Sequence, residues 1–553
     1  MRSLSILFLL ITPLLAAGKV TKHSFTDSHI FPGTQRDYWV YVPEQYDATQ
    51  AACLMVFQDG HAYVNPKGQD RVPERFDELI SAGEMPVTIG LFINPGVVSA
   101  AIEGGKPRKN RCFEYDSMTD RYARFLIEEM IPLLESEHGL KVSSYPDDRA
   151  IAGASSGAIC AFTAAWQRPD AFRRVFSAIG TYVDIRSGGD YPTLIRKTEP
   201  KPLRIFLEDG SNDLDNAYGN WFLANQTMLS ALQWSGYEVS HQWGEEGHNH
   251  KHSGAILPDA LRWLWKDHGQ TPVTTHVANS QSPAKNWLIE GEEWERITTG
   301  HQFAEGMQVT PDGTLYFTDV PDSELYQITP DGTQTLLSDD TGRANGLALS
   351  PDGKTLYLAS SGAQEIRSYE ISSRKWDVVA SGTGSNDLVV TKHGHLYYTD
   401  PGNNKVWHVN LTTGKRQPAD PHFQRPNGIG LSPDHSRLYV AHFTGNMIYN
   451  YTINPDGSVK DKQPYFHAHL PYDMTEGRLD GMASAASGEL LCGTEFGIQI
   501  FDDEGRSKFI IPRPHPGDRR TNYLTFGGPN RQTLYLATAD HIYKRQVKLQ
   551  GAP

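Results

Sequence analysis

In RAIAGASSGAICAF, residues 149 to 162, a serine stands with a glycine two residues away on either side, between an apolar run and a string of helix formers. The G-x-S-x-G pattern suits a nucleophile elbow, a sharp strand-to-helix turn that pushes Ser155 toward solvent while small flanking residues avoid clashes. The Ser156 amide, at the start of the helix, would face the same way and serve as a donor to an oxyanion. A bare match of this kind is common, so the claim depends on partners. Serine needs a base to take its proton and a carboxylate to orient that base, here expected in the chain order Ser, Asp, His.

Candidates follow in that order. LRIFLEDGSNDLDN offers Asp209, Asp213 and Asp215 after a strand, and WGEEGHNHKH offers His248, His250 and His252. Asp213 and His248 are preferred because each lies just past a glycine-containing turn, where a loop can bring a side chain over a sheet edge. Two readings compete for GHNHKH. Three alternating histidines on a strand would share one face and could hold a metal, although no nearby carboxylate or cysteine completes the set. They could also be solvated loop histidines on an inactive enzyme.

A second constellation lies further along. Six turn-plus-strand segments, PDGTLYFTD, PDGKTLYLAS, KHGHLYYTD, PDHSRLYVAH, ASGELLCGT and PNRQTLYLAT, recur about every 40 residues, with one longer interval. Eight residues before the turn positions Gly313, Gly353, Gly394, His435 and Gly488 stand Glu305, Asn345, Asn386, Asn427 and Asp480. Counting from Arg531, the last repeat departs with Tyr523. Glycine follows four of the five polar residues, which would let backbone and ligand approach closely. Carboxylates and amide oxygens without sulfur or imidazole make a hard-oxygen site, and calcium suits it best. The competing reading is that Asn-Gly and Asp-Gly only form turns, which leaves Glu305 in the same register unexplained.

These residues need two different scaffolds. Up to about residue 268 short apolar strands (ACLMVFQDG, VTIGLFINP, LRIFLEDG) alternate with amphipathic helices such as TDRYARFLIEEMIPLLESE, which argues a mainly parallel sheet with helices on both faces. GQTPVTTHVANSQSPAKN, residues 269–286, is polar and aperiodic and reads as a linker. From 287 to 548 the repeat length is that of one four-stranded blade, and six repeats predict an all-β six-bladed propeller in which the offset residues converge on the central channel.

The chain has 553 residues, enough for two cores, and 51 basic against 65 acidic residues with no dense Lys/Arg run, which argues against nucleic acid as a partner. MRSLSILFLLITPLLAAG, residues 1–18, has a positive start, an apolar run too short to span a bilayer and small residues for cleavage, so it reads as a signal peptide of an exported protein. Cys53, Cys112, Cys160 and Cys492 match no zinc spacing and supply at most one bridge. No later segment looks transmembrane.

Two resemblances follow from these residues. Residues 19–268 resemble the enterochelin esterase and feruloyl esterase group of α/β-hydrolases, through FQDGHAYV, NRCFEYD leading into RYARFLIEEMIPLLE, GASSG, DGSND and the GH histidine. The resemblance puts the nucleophile on Ser155, the acid on Asp213 and the base on His248, and implies a second oxyanion amide from the loop Gln58 to Gly60, assigned to Asp59. Ala158 stands where family members often have another glycine. Residues 287–548 resemble the gluconolactonase, regucalcin and senescence-marker-protein propellers, through AEGMQVTPDG, SNDLVVTKHGHLYYTD, RPNGIGLSPDHSRLYVA and LDGMASAASGELL. That resemblance implies metal ligands at Glu305, Asn427 and Asp480, with Asn386 and Asn345 adjacent to the metal or in contact with substrate. The expected protein is an exported serine esterase on sugar-linked or phenolic esters, joined to a metal-dependent lactonase, with small-molecule or oligosaccharide esters and lactones as partners. The alternative is an esterase whose propeller is a calcium-stabilised carbohydrate-binding or structural module.

Overall fold

The structure, a computed structural model, describes residues 17–275, 281–472, 474 and 476–553. The expected signal peptide lies, up to residue 16, outside the described residues. The chain divides into two compact units, Met1–Thr193 with Pro200–His276, and Leu194–Glu199 with Val277–Pro553.

The first unit is built on an eight-stranded sheet in the order Lys19–Phe25, Arg36–Val42, Thr88–Ile93, Cys53–Gln58, Arg149–Ala154, Arg174–Ala178, Arg204–Gly210, Glu238–Gly244. The first two pairings are antiparallel and the rest parallel. The central strands CLMVFQ, TIGLFI and RAIAGA are buried along their whole length, which is why they read as continuous apolar runs rather than alternating ones. Helices Val72–Ser81, Ser156–Gln167, Trp221–Ser235 and Lys251–Trp265 follow strands of the sheet. Apolar side chains of Val72–Ser81 and Lys251–Trp265 share one core with Met55, Phe57, Phe92 and Phe176.

Among its described residues the second unit is mainly β, with the short helix Ala284–Trp287, a 3-10 turn at Pro529–Arg531 and the end of the helix Tyr191–Lys197 beside the strands. Four four-stranded antiparallel sheets follow one another along the chain, and a seven-stranded sheet joins its two ends. The joint is the long strand Glu295–Val309: its early residues pair with Ala539–Gln546 and its later ones with Leu315–Asp319. Pairing the first and last repeats in this way leaves no open edge between them. Apolar side chains between adjacent sheets form separate small cores, as in Tyr397, Ile429, Leu438 and Val440.

The segment 269–286 is packed at both ends. The Val273 amide donates to Asp147 Oδ1 at 2.9 Å, and Ala284 and Trp287 are buried with Phe509 and Leu549. Leu549 and the Ala485–Gly551 bridge carry the second unit past residue 548. The four cysteines are unbridged. Among the described residues no helix is long and apolar enough to cross a membrane.

Candidate functional sites

Ser155 follows the last residue of the strand Arg149–Ala154 and precedes the helix Ser156–Gln167, with φ 59° and ψ −123°. A left-handed φ on a non-glycine residue is costly and persists only where surroundings enforce it. Its own amide is tied to the Ala178 carbonyl at 3.0 Å. The flanking glycines have a measurable reason. A Cβ on Gly153 would lie 2.2 Å from the backbone carbonyl of Gly157, and one on Gly157 would lie 3.2 Å from Gln58 Cβ. The strand end and helix start touch each other directly at this corner.

His248 Nε2 lies 2.9 Å from Ser155 Oγ, and His248 Nδ1 lies 2.6 Å from Asp213 Oδ1. The Asp213 side chain is fully buried, whereas the ring of His248 keeps 22% of its exposure and can meet a substrate. Burial alone would raise the Asp213 carboxyl, but hydrogen bonds from His248, Asp209 and the Leu214 amide outweigh it and hold the group below the usual range. Trp221 packs edge-on against His248. Thr181 Oγ1 is 3.3 Å from Ser155 Oγ and accepts from Trp221 Nε1 at 3.2 Å.

The other candidates separate. Asp209 is wholly buried and bonded to Asn225, and exposed Asp215 pairs with Asn220 in a small ribbon. His250 and His252 do not converge with His248. Their Nδ1 atoms lie 2.7 Å from Asp70 and 2.7 Å from Glu208 respectively, because the segment turns into the helix Lys251–Trp265 instead of continuing as a strand. The shared metal face weighed for GHNHKH is therefore absent. They are also not free loop side chains, since each has its own buried carboxylate.

Ser156 opens the helix, so its amide is among the N–H groups that lack an intrahelical acceptor. The expected second oxyanion donor needs correction. Asp59 has φ 55°, and its amide donates to Tyr115 Oη at 3.2 Å while its carboxylate takes a two-pronged bond from Arg111. That amide already has a partner in Tyr115, so Asp59 is not a free donor.

In the second unit, Glu305, Asn345, Asn386, Asn427 and Asp480 line one cavity of about 270 Å³, which Arg520 also lines. Three oxygens in this group, Glu305 Oε1, Asn386 Oδ1 and Asn427 Oδ1, are buried without a hydrogen-bond partner among the described residues. Such orphaned acceptors are uncommon unless an ion or water completes them. Burial, and then Asp480 and Asp387, push the Glu305 carboxyl well above its ordinary range; burial and Asp387 do the same to Asp480, against the opposing pull of Arg520. A hard divalent cation fits this donor set, which is all oxygen and partly negative.

Two residues of this site escaped the sequence reading. Asn522 donates to Glu305 Oε2 at 2.8 Å and to the Ala304 carbonyl at 2.6 Å. Both Asn530 and Arg531 have positive φ at the last turn, and counting the same eight residues from Asn530 lands on Asn522. Tyr523, reached from Arg531, instead donates its hydroxyl to the Leu347 carbonyl. Asp387, next to Asn386, is buried with both oxygens unpartnered among the described residues, and its carboxyl is pushed up to about 7 by burial. It stands where the strands of Glu305, Asn345, Asn427 and Asp480 have glycine and that of Asn522 has Tyr523.

Those glycines serve contact between neighbouring sheets and not ligand approach. A Cβ on Gly306 would lie 2.3 Å from the Asn345 carbonyl oxygen, and one on Gly481 would lie 2.8 Å from that of Asn522. Each glycine thus lets the next inner strand close in and brings its polar residue to the cavity.

Comparison with known proteins agrees with this division. Residues 28–292 match the family model of putative esterases, and residues 306–381 and 375–540 match that of the SMP-30/gluconolactonase/LRE-like region. A gluconolactonase of Zymomonas mobilis is 26% identical over 300 residues, covering 46% of this chain and 82% of that protein. An iron(III) enterobactin esterase of Dickeya dadantii is 25% identical over 245 residues, covering 42% of this chain and 52% of that protein. Among solved structures, a gluconolactonase from Xanthomonas campestris aligns with a TM-score of 0.42 at 20% identity, covering 47% of this chain and 91% of that one. The chain is a hydrolase in two parts, an esterase-family region followed by an SMP-30/gluconolactonase/LRE-like region.

Proposed function

We propose that the protein is an exported bifunctional hydrolase: a serine esterase on sugar-linked or phenolic carboxylic esters, and a divalent-metal-dependent lactonase, with calcium as the metal. The observation that carries the esterase reading is the unbroken hydrogen-bond chain from Ser155 Oγ through His248 to Asp213. In this reading His248 Nε2 takes the serine proton as Oγ attacks the ester carbonyl, then returns it to the leaving alcohol. Asp213 keeps Nδ1 protonated and steadies the imidazolium. The Ser156 amide donates to the oxyanion.

For the second unit we read the seven-stranded sheet as two blades that share the strand Glu295–Val309, which makes six blades around the cavity. Glu305, Asn427 and Asp480 would hold the cation, and Asn345 and Asn386 would meet the ring hydroxyls of a lactone. A bound divalent cation supplies polarisation of the lactone carbonyl. Arg520 and the asparagines favour a polar, oxygen-rich substrate, consistent with the gluconolactonase relative. Export rests on the N-terminal charge and apolar pattern. The second reading, a carbohydrate-binding or structural propeller, keeps the same cation and lacks turnover.

A fluorophosphonate probe tests the esterase reading. It should label wild type at one site per chain and leave Ser155→Ala unlabelled; equal labelling of the two sinks the assignment. Gluconolactone turnover by Ser155→Ala with calcium, abolished by chelator, supports the lactonase; binding without turnover favours the module.

A further inference from the structure

Asp213 is anchored unevenly. Its Oδ1 takes both His248 Nδ1 and the Leu214 amide at 2.6 Å, whereas its buried Oδ2 has no donor among the described residues apart from a carboxyl, that of Asp209. Asp209 is 0% exposed at the end of the strand Arg204–Gly210. Its Oδ1 accepts from the Gly210 amide at 2.7 Å and its Oδ2 from Asn225 Nδ2 at 2.8 Å. Asn225, also wholly buried, is held in turn by the carbonyls of Gly180 and Trp221. Two carboxyl groups in hydrogen-bond contact inside a protein cannot both be ionised, because nothing would then lie between their oxygens but like charge.

Resting on the Ser155 reading above, we propose that Asp209 is a protonated positioning residue of the esterase site, whose carboxyl O–H donates to Asp213 Oδ2 and fixes the carboxylate that orients His248. The assignment of the proton follows from surroundings. Asp213 has an imidazole and an amide to support its charge. Asp209 faces Asp213 from the loop, uncharged Asn225 from the helix Trp221–Ser235, and the nearby carboxyl of Glu208 in its own strand. Burial, then the bond and charge of Asp213, push the Asp209 carboxyl up to about 9, so it is neutral at pH 7. Above that pH it ionises, the shared proton is lost and Asp213 is driven from its place beneath His248.

The test uses the full chain, 4-nitrophenyl acetate as probe and initial rates from pH 6 to 10 for wild type, Ser155→Ala, Asp209→Asn and Asp209→Ala. Asparagine cannot ionise and can still donate an N–H toward Asp213, at the loss of one of the two bonds that the aspartate oxygens accept from Gly210 and Asn225. Asp209→Asn should lose less kcat at pH 7 than Asp209→Ala and should lack the fall that wild type shows above pH 9. Asp209→Ala should lose ~10–100-fold in kcat with KM little changed, as expected when a catalytic group is misplaced. A merely structural aspartate would not make the alkaline limb depend on asparagine. An identical limb in wild type and Asp209→Asn, or an asparagine variant as impaired as the alanine one, overturns the proposal and leaves the Ser155 reading standing. Near-native turnover by Ser155→Ala instead removes that reading, and the role of Asp209 with it.

Discussion

Alanine at the two glycines of the elbow should have unequal consequences, and the size of the difference can be worked from the corner itself. Carbon atoms in contact rest about 3.5 Å apart. The added Cβ would sit 2.2 Å from the Gly157 carbonyl carbon in Gly153→Ala, but 3.2 Å from Gln58 Cβ in Gly157→Ala. The first is short by about 1.3 Å and meets backbone held by both strand and helix; the second is short by about 0.3 Å and meets a side chain. Overpacking costs 1–3 kcal/mol and more where backbone must move, so Gly153→Ala should destabilise the first unit by about 3 kcal/mol or more. At Gly157, inside the helix, the small clash is offset by the preference of a helix for alanine over glycine, up to about 1 kcal/mol, so the net change should stay within about 1 kcal/mol. The assay is the urea concentration that halves 4-nitrophenyl acetate turnover after equilibration, which follows the unit that carries Ser155. Equal midpoints for the two variants would refute the account of why glycine flanks the serine.

Three further outcomes concern the cavity and the triad. Asp213→Asn should lower kcat/KM by ~10³–10⁴-fold, far more than Asp209→Asn, and comparable losses in 4-nitrophenyl acetate assays would contradict the acid assigned here. Calcium should raise the thermal midpoint of the propeller by mass action, and Glu305→Gln should erase most of that gain; calorimetry with and without chelator decides, identical curves counting against a cation. In chelated protein the Asp387 carboxyl, raised from 3.8 to about 7, is a stabilising proton-binding group below pH 4 whose contribution is lost as pH rises through 7. Asp387→Asn should therefore be more stable than wild type at pH 8, by up to about 4 kcal/mol, and no different near pH 4, as read by urea unfolding at the two pH values.

What could be read from the sequence was what depends on local spacing. The elbow is a run of five residues, and a constant offset from a turn puts Glu305, Asn345, Asn386, Asn427 and Asp480 on one cavity, because each sheet repeats the same first strand, turn and second strand. What escaped depends on contacts between distant segments. Nothing near Asp59 in sequence announces Tyr115, and nothing near His250 announces Asp70. The glycines after the ring residues were legible as close-approach positions, but their partner is the next inner strand and not a ligand. Asn522 was missed by a one-residue ambiguity at a turn with two positive-φ residues.

The most direct measurement of two independent sites in one chain is a crossed assay: aryl ester and gluconolactone turnover for wild type, Ser155→Ala and Asp480→Asn, each with calcium and with chelator. The account predicts that Ser155→Ala loses the ester activity alone, and that Asp480→Asn and chelator lose the lactone activity alone. Loss of both activities from a single substitution, or lactone turnover indifferent to both Asp480 and chelator, would contradict it.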